Sequence, residues 1–492
     1  MNIRSYQRSF RGPQPLDLKP ADDIAPNNRW KPKRVAARRL AEETARLEAD
    51  NVKRARHLER GLLPRGDRVL PKDSSVNPSH MLMAHNLEDG LSPQFISQMA
   101  QIGAVEGFQV MARCAPDQAA DLRAQLKQWP GFRHITVVPS PGLQDVWTED
   151  QGEFTRQGNL VIPPLLDTAT PFGQLAFLGR LERLHPEAEA AQIAASLTDY
   201  NLEHAMSMYP RTHFSYQGLV GQAETHLGLL GSALALDVPE TRMALTYIEG
   251  GNFLPGTAAD GRPLALVGRD SLAISQSVLE QDMGRKPTQA EVLARVARDY
   301  GLKSEQVHPV EQPADFHIDM AMTWTRPGHV LLNDARAVLE MQQQWLDRQL
   351  EREMEQSPES APQLRQRYQA ERARLEQMAA HHADLEAQCL KDLRKAGVEV
   401  DRLAGSFPAS LANGAMNFLN LRQGTAEDGA TFAVMLGGTP EAESYIREQL
   451  LEVLPTGYQR LHFLDPTLTG PTLDLWGGIK CRTKPISVDG AA

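Results

Sequence analysis

The fold class is decided by the stretch at residues 108–139, FQVMARCAPDQAADLRAQLKQWPGFRHITVVP. Its first apolar run, FQVMAR at 108–113, precedes a helical segment at 114–128 and a second apolar run, HITVVP at 134–139. Alternation of strand, helix and strand is typical of α/β architecture. This stretch therefore predicts an α/β protein.

The same alternation of predicted strands and helices continues along the chain from about residue 76. Helical segments are predicted at 187–206, 288–301 and 440–452. Further short apolar strands are predicted at HMLMAH (80–85), NLVIPP (159–164), PLALVG (263–268), HVLLND (329–334), TFAVML (431–436) and RLHFLD (460–465). We expect one α/β body that covers residues 76–492.

Residues 335–396 interrupt this pattern with two charged amphipathic helices. Between them lies SPESAP at 357–362, whose two prolines break a helix. The segment predicts a helical hairpin inserted into the body. We expect it to pack against the catalytic core, and docking of a substrate or partner is the alternative.

Residues 1–75 form a basic, proline-rich segment, with 18 Lys and Arg against 10 Asp and Glu. We predict a flexible arm that is disordered over 1–33 and helical over roughly 34–60. The remaining chain has 34 basic and 52 acidic residues. This acidic body disfavours nucleic acid as a partner and suits steering of a cationic substrate.

Apolar composition and cysteine content indicate the cellular compartment in which the protein functions. The sequence contains no run of about 18 apolar residues, so we predict no transmembrane helix. The N-terminus lacks the apolar core of a Sec signal peptide. Three scattered cysteines do not form a disulfide framework. We expect a cytoplasmic protein, with delivery by a specialised secretion system as the alternative. The oligomeric state is not predicted.

An acidic segment at 145–154, DVWTEDQGEF, follows a predicted strand. It places Trp147 beside the carboxylates of Glu149, Asp150 and Glu153. A planar guanidinium binds a carboxylate in bidentate fashion, and an indole face can cover it. The segment therefore predicts a guanidinium or cation site, while a solvated acidic loop is the plainer interpretation.

Three further segments carry residue types suited to catalysis. A Glu-Gly-Gly-Asn turn at 249–252 permits close approach of the backbone to a ligand. His317 and Asp319, two apart on a presumed strand, supply an acid/base and its ion-pair partner. Cys481 follows two glycines among basic residues that favour a lowered thiol pKa, so it is the predicted nucleophile. The other two cysteines are read as packing residues.

The order of these segments resembles that of the guanidine-modifying enzymes with the five-bladed α/β propeller, or pentein, fold. Over roughly 80–490 the chain looks most like the catalytic domain of the peptidylarginine deiminases. The family's motifs are similar to Trp147-Thr-Glu-Asp-Gln-Gly-Glu-Phe154, His317-Ile-Asp319, HVLLNDARAVLEMQQQ at 329–344, Asn417 within 413–420, and Lys480-Cys-Arg-Thr-Lys-Pro485. The Glu-Gly-Gly-Asn turn is closer to the agmatine deiminases.

The resemblance implies a mechanism. Asp150 and Asp319 would clamp the guanidinium, Cys481 would attack its carbon, and His317 would protonate the departing amine and then activate water. No organic cofactor is implied. Trp147 would pack on the substrate's aliphatic stem, Asn417 or Asn252 would orient a catalytic group (with Asn417 ranked first), and Glu149 and Glu153 are candidate calcium ligands.

The substrate class has several candidates at this point. Hydrolysis of protein arginine to citrulline and ammonia is favoured. A deiminase, dihydrolase or amidinotransferase acting on a small guanidine, such as free arginine or agmatine, is the alternative. A cysteine protease is disfavoured because its nucleophile usually begins a helix, whereas Cys481 is assigned to a strand. A non-catalytic partner-binding effector is the last candidate.

Overall fold

The computed structural model describes residues 33, 35–56, 63–87, 89–142, 145–164, 222–314, 317–474 and 477–487. Nearly all of the predicted disordered segment and the predicted helix at 187–206 lie outside these ranges. None of the helices within them has the length and apolar composition of a transmembrane segment.

The elements alternate along the chain as the apolar pattern predicts. The strands are β1 His80–Ala84, β2 Gln109–Cys114, β3 Ile135–Pro139, β4 Glu153–Phe154, β5 Leu160–Ile162, β6 Thr241–Met243, β7 Phe253–Thr257, β8 Pro263–Gly268, β9 Val307–Val310, β10 Met322–Arg326, β11 His329–Asn333, β12 Glu399–Leu403, β13 Ser406–Phe407, β14 Met416–Asn417, β15 Arg422–Thr425, β16 Thr431–Met435, β17 Arg460–Phe463 and β18 Thr483–Ile486. The helices are α1 Ala37–Arg56, α2 Ser92–Glu106, α3 Ala119–Leu126, α4 Gln222–Ala235, α5 Arg269–Met283, α6 Gln289–Asp299, α7 Ala335–Gln356, α8 Ala361–Lys395, α9 Pro440–Glu448, α10 Thr469–Leu473 and α11 Ile479–Arg482.

Five of the six sheets in the described residues share one pairing pattern around a central strand. Strands β1, β5, β8, β11 and β16 each pair antiparallel with one neighbour and parallel with the other. A parallel pair requires a crossover connection, and helices provide it, for example α2 between β1 and β2. The mixed α/β class expected from the sequence is confirmed. Closure of the five sheets into a propeller stays a prediction.

Helices α7 and α8 form the crossover between the parallel strands β11 and β12. The Asp334 carboxylate caps the first turn of α7 by accepting from two backbone N–H groups. Leu346, Tyr368 and Leu375 are buried together between the two helices. Trp345 packs instead against the body, beside Phe407 of β13. Helix α8 also packs on the body, because its Cys389 and Leu393 are buried among side chains of β7, β8, β10 and β11. Contact between the hairpin and the core therefore comes from apolar side chains of both helices.

The N-terminal segment joins the body earlier than the predicted boundary at residue 76. The backbone N–H of Leu70 donates to Phe154 and that of Lys72 donates to Pro255. Helix α1 also packs on the body, because Leu40 and Leu47 lie seven residues apart on one helix face and are both buried against it. Net charge could not reveal these contacts, since they depend on a few apolar and backbone groups.

Truncation of Leu346 tests how strongly the hairpin contributes to stability. Leu346→Ala should lower the free energy of unfolding by about 2–5 kcal/mol, because it leaves a cavity between two helices. The matched control is Leu451→Ala, a leucine that is 40% exposed, with an expected change within about 0.5 kcal/mol. Urea unfolding measures both, and equal effects would show that the hairpin does not pack as described.

Candidate active site

The candidate active site is built from the five connections between consecutive sheets. The acidic segment lies between β3 and β4, the Glu-Gly-Gly-Asn turn between β6 and β7, and His317 with Asp319 between β9 and β10. Asn417 leads into the next connection, and Cys481 lies in the one before β18. Four of these connections contain a short helical turn, and these turns contact one another. Residues far apart in sequence are thereby brought together.

Two local predictions differ from the structure. His317 precedes a 3-10 turn at Ile318–Met320 and is not part of a strand. Cys481 lies in the short helix α11, which ends where β18 begins. In both places the chain turns sharply so that polar groups can face the interior of the site, and periodicity over so few residues cannot reveal such a turn.

Glycines allow these turns to approach one another closely. A side chain on Gly251 would collide with the His317 ring, and one on Gly477 would collide with the Trp147 indole. The Gly-Gly pairs at 250–251 and 477–478 therefore leave space for the His317 ring and the Trp147 indole. Trp147 lies against α11 and the glycines that precede it.

The Cys481 thiol is enclosed, with 1% of the residue exposed. Its sulfur accepts a hydrogen bond from Asn420 Nδ2 at 3.4 Å. Burial raises the thiol pKa well above its ordinary value, and the charges of Asp319 and Asp150 raise it further. The lowered pKa predicted from the basic flanking residues is thus wrong for this state of the site, because Arg482 and Lys484 bind other carboxylates. A cation bound between the carboxylates would favour the thiolate.

His317 lies between two carboxylates. Its Nε2 is 2.7 Å from Glu249 Oε2, and its Nδ1 is 3.7 Å from Asp150 Oδ1. Burial alone lowers the pKa of His317, but the Asp150 charge and the Glu249 hydrogen bond and charge raise it to about 9. The imidazole is therefore protonated at neutral pH and can act as an acid. Glu249 accepts a hydrogen bond from the Tyr247 hydroxyl at 3.0 Å.

Asp150 and Asp319 supply negative charge beside the thiol. Asp150 accepts a hydrogen bond from Gly251 N at 2.8 Å, and burial raises its pKa to about 7. Asp319 is fully buried, and neither of its carboxylate oxygens has a hydrogen-bond partner among the described residues. Burial also raises the pKa of Asp319, while the charge of Lys480 opposes that rise. A buried, unsatisfied carboxylate strongly favours a cationic ligand.

Three asparagines lie around the turn that contains Asp319 and around the Cys481 sulfur. Asn252 accepts a hydrogen bond from Ile318 N at 3.1 Å, and Asn417 donates one to the carbonyl of Met320 at 2.7 Å. Both therefore hold the turn that contains Asp319. Asn420, which the sequence analysis did not single out, is the one that contacts the Cys481 sulfur. The Asn-x-x-Asn spacing at 417–420 was the available signal, because Asn417 also accepts from the backbone N–H of Asn420.

Glu149 and Glu153 belong to a buried ion cluster. Lys72 pairs with both glutamates, Lys484 pairs with Glu149 at 3.3 Å and Glu153 at 2.7 Å, and Arg422 pairs with Glu149 at 2.8 Å. Burial would raise the pKa of Glu149, but the three cations hold it well below its usual range. Calcium requires six to eight oxygen ligands, and cations already neutralise these two carboxylates. The residues therefore do not fit a calcium site, and the described ranges contain no other cluster of potential metal ligands.

Comparisons with known proteins gave structural matches alone. Neither a protein-family model nor a curated protein matches the chain. An X-ray structure assigned as an agmatine deiminase is similar, with a TM-score of 0.47 and 13% identity over 86% of this chain and 96% of that one. An agmatine deiminase of Enterococcus faecalis has a TM-score of 0.45 and 13% identity over 85% and 95%. Neither is a peptidylarginine deiminase, so that resemblance stays a prediction.

Removal of Lys72 tests the ion cluster. Lys72→Met should lower the free energy of unfolding by about 3–5 kcal/mol, because it leaves buried carboxylate charge uncompensated. The exposed Lys127→Met is the matched control and should change little. Urea unfolding provides the measurement, and a loss below about 1 kcal/mol for Lys72→Met would contradict the described cluster.

The charge state of His317 depends on Glu249. Because the folded pKa of His317 exceeds its ordinary 6.5, its charge stabilises the fold fully below pH 6.5, and this contribution is lost as the pH rises through about 9. Glu249→Gln should lower the titration midpoint of the imidazole by about 1–3 pH units, measured by NMR. The exposed Glu359→Gln serves as the control. An unchanged midpoint in Glu249→Gln would exclude this pairing.

Proposed function

We propose that the protein hydrolyses a guanidinium group by covalent catalysis at Cys481. The observation that carries the proposal is one enclosed site that holds a thiol, a protonated histidine and a buried carboxylate without a described hydrogen-bond partner. A cysteine protease would need the thiol and imidazole, but it gives no role to two acidic side chains beside the sulfur. A guanidinium substrate gives each of these groups a role.

Binding of the guanidinium starts the reaction. Asp150 and Asp319 accept its N–H groups, and the planar cation neutralises their buried charge. Both carboxylates raise the pKa of the Cys481 thiol, so a cation held between them lowers it again. The substrate thereby helps to generate the thiolate that attacks it, and the site avoids an exposed reactive thiolate in its absence.

Covalent chemistry then proceeds in two halves. The Cys481 thiolate forms a C–S bond with the guanidinium carbon, and protonated His317 gives its proton to the departing nitrogen, which leaves as ammonia. His317, now neutral, takes a proton from water, and the hydroxide attacks the same carbon. Cleavage of the C–S bond restores the thiolate, and the hydroxyl proton passes to the released ammonia, so the products are a neutral ureido compound and ammonium. Glu249 orients the imidazole throughout, through its contact with Nε2.

Burial of the reacting groups favours a small substrate. Cys481, His317 and Asp319 are 1%, 2% and 0% exposed. A small guanidine can be enclosed completely, whereas an arginine on a protein must keep its backbone outside. We therefore place the small-guanidine reaction ahead of the peptidylarginine reaction that the sequence motifs favoured.

The proposed fold for this chemistry is the five-bladed pentein propeller. Its support is the set of five sheets with one pairing pattern, together with a site drawn from the five connections between them. In such an arrangement each blade delivers one turn to a common centre, which explains why the catalytic groups are so widely spaced in sequence.

Loss of the nucleophile tests the proposed chemistry. Cys481→Ser should lower ammonia release by more than about a thousandfold with the fold retained, since removal of a nucleophile costs up to ~10⁶ in turnover elsewhere. The matched control is Cys389→Ala, a buried cysteine in the hairpin, which should leave turnover nearly intact. Activity of Cys481→Ser within about tenfold of wild type would exclude the assignment.

The substrate panel for that assay separates the two size classes. It contains free guanidines and arginine-containing peptides of matched concentration, with ammonia as the readout. Turnover of small guanidines is the expected result. Turnover of peptides alone would assign the protein to peptidylarginine, and mass spectrometry of the peptides would then locate the modified arginines.

A further inference from the structure

Two buried arginines lie beside the candidate active site with unsatisfied donors. Arg113 is fully buried, and its Nη2 donates to the carbonyl of Asp145 at 2.7 Å. Arg482 is 3% exposed, and its Nη1 donates to Asp89 Oδ2 at 2.6 Å. Nε and Nη1 of Arg113, and Nε and Nη2 of Arg482, have no hydrogen-bond partner among the described residues.

Both arginines border the segment that holds Trp147. Arg482 directly follows Cys481, and its guanidinium carbon lies 5.5 Å from the Trp147 ring centroid. Arg113, near the end of β2, binds the carbonyl two residues before Trp147. The Asp145 carboxylate interacts electrostatically with both guanidinium groups. These donors therefore lie beside the Asp145–Trp147 part of the acidic segment.

Arg113 differs from the nearby buried cations in the kind of partner that it binds. Lys72, Lys484 and Arg422 each bind carboxylate oxygens directly. Arg113 instead uses one donor on a neutral carbonyl, while the Asp145 carboxylate accepts from Trp147 N. Burial lowers the pKa of Arg113 to about 10, so the group stays charged at neutral pH. Buried charged donors without an acceptor are unfavourable, and an anionic ligand would satisfy them.

We propose that Arg113 and Arg482 form a subsite for the carboxylate of the substrate, which is therefore an ω-guanidino acid. This inference rests on the proposed function. The guanidinium end binds Asp150 and Asp319, the aliphatic stem lies along Trp147, and the carboxylate end receives the free N–H groups. Arginine is suited to this role because its planar fork matches the two oxygens of a carboxylate.

Paired substrates test the subsite in the wild-type protein. The acid probe is 4-guanidinobutyrate, and the neutral probe is butylguanidine, which replaces the carboxylate with a methyl group. Agmatine carries an amine in a similar position. We expect kcat/KM for the acid to exceed that of either other probe by at least about a hundredfold, because a buried site built for a polar group rejects ligands that lack it.

Substitution of each arginine assigns that preference to the subsite. Arg113→Met and Arg482→Met should each reduce the ratio of kcat/KM between acid and neutral probes by at least about tenfold. The matched control is Arg123→Met on the exposed face of α3, which should leave the ratio unchanged. Two separate variants keep the test decisive if one of them fails to fold.

Three outcomes would overturn the inference. The first is equal turnover of the two probes, or a preference for agmatine. The second is an acid preference that persists in both variants. The third is stabilisation by inorganic sulfate as strong as that by 4-guanidinobutyrate and lost in Arg113→Met, which would assign the arginines to a free anion.

Failure of the proposed function has a different signature, namely no turnover of any guanidine. Calorimetric binding of the two probes to the wild type and both arginine variants would still decide the subsite in that case. Tighter binding of the acid than of butylguanidine, lost in the variants, would support it. Equal binding would overturn it.

Discussion

The buried ion cluster of Glu149, Glu153, Lys72, Lys484 and Arg422 is the interaction on which the rest of the site depends. It joins the N-terminal segment, the acidic segment, β15 and β18 in one place where water is excluded. Lys72 also donates to the carbonyls of Gly250 and Phe253, which links the Glu-Gly-Gly-Asn turn to the same cluster. Charges buried this deeply are stable only as a complete set, so the turns they hold have one arrangement.

Beside this satisfied cluster lies a region that is electrostatically incomplete. Asp319 has no described hydrogen-bond partner, and burial raises the pKa of Asp150 to about 7. The contrast indicates that the protein uses one set of charges to fix geometry and leaves another set for a ligand. Preorganised groups of this kind do not have to reorient during reaction, which is the main source of electrostatic catalysis.

The sequence predicted the identities of the central groups better than their surroundings. Asp150, His317, Asp319 and Cys481 were singled out from short motifs, and the structure brings them together. Glu249 was quoted only as part of a glycine turn, and Asn420 was missed, because their roles arise from contacts across more than 60 residues.

Electrostatics and boundaries were harder to predict. Basic neighbours in the sequence suggested an acidic Cys481 thiol, but burial and two carboxylates have the opposite effect. Lys72 was assigned to a flexible arm by composition, although its ammonium lies in the core of the site. Burial and long-range ion pairing follow from tertiary packing, and local composition contains little information about either.

The pairing of β18 with β1 has a consequence for the order of folding. The four residues 483–486 pair with the strand at residues 80–84, from which they are widely separated in sequence, and so complete that sheet. Cys481 lies two residues before that strand, so the thiol reaches its position when the first sheet acquires its last strand. A chain in which β18 has not yet paired would therefore contain the carboxylates and the histidine without a thiol positioned beside them. Contacts of such wide separation form slowly, and reactivity would appear as one of the last events of folding.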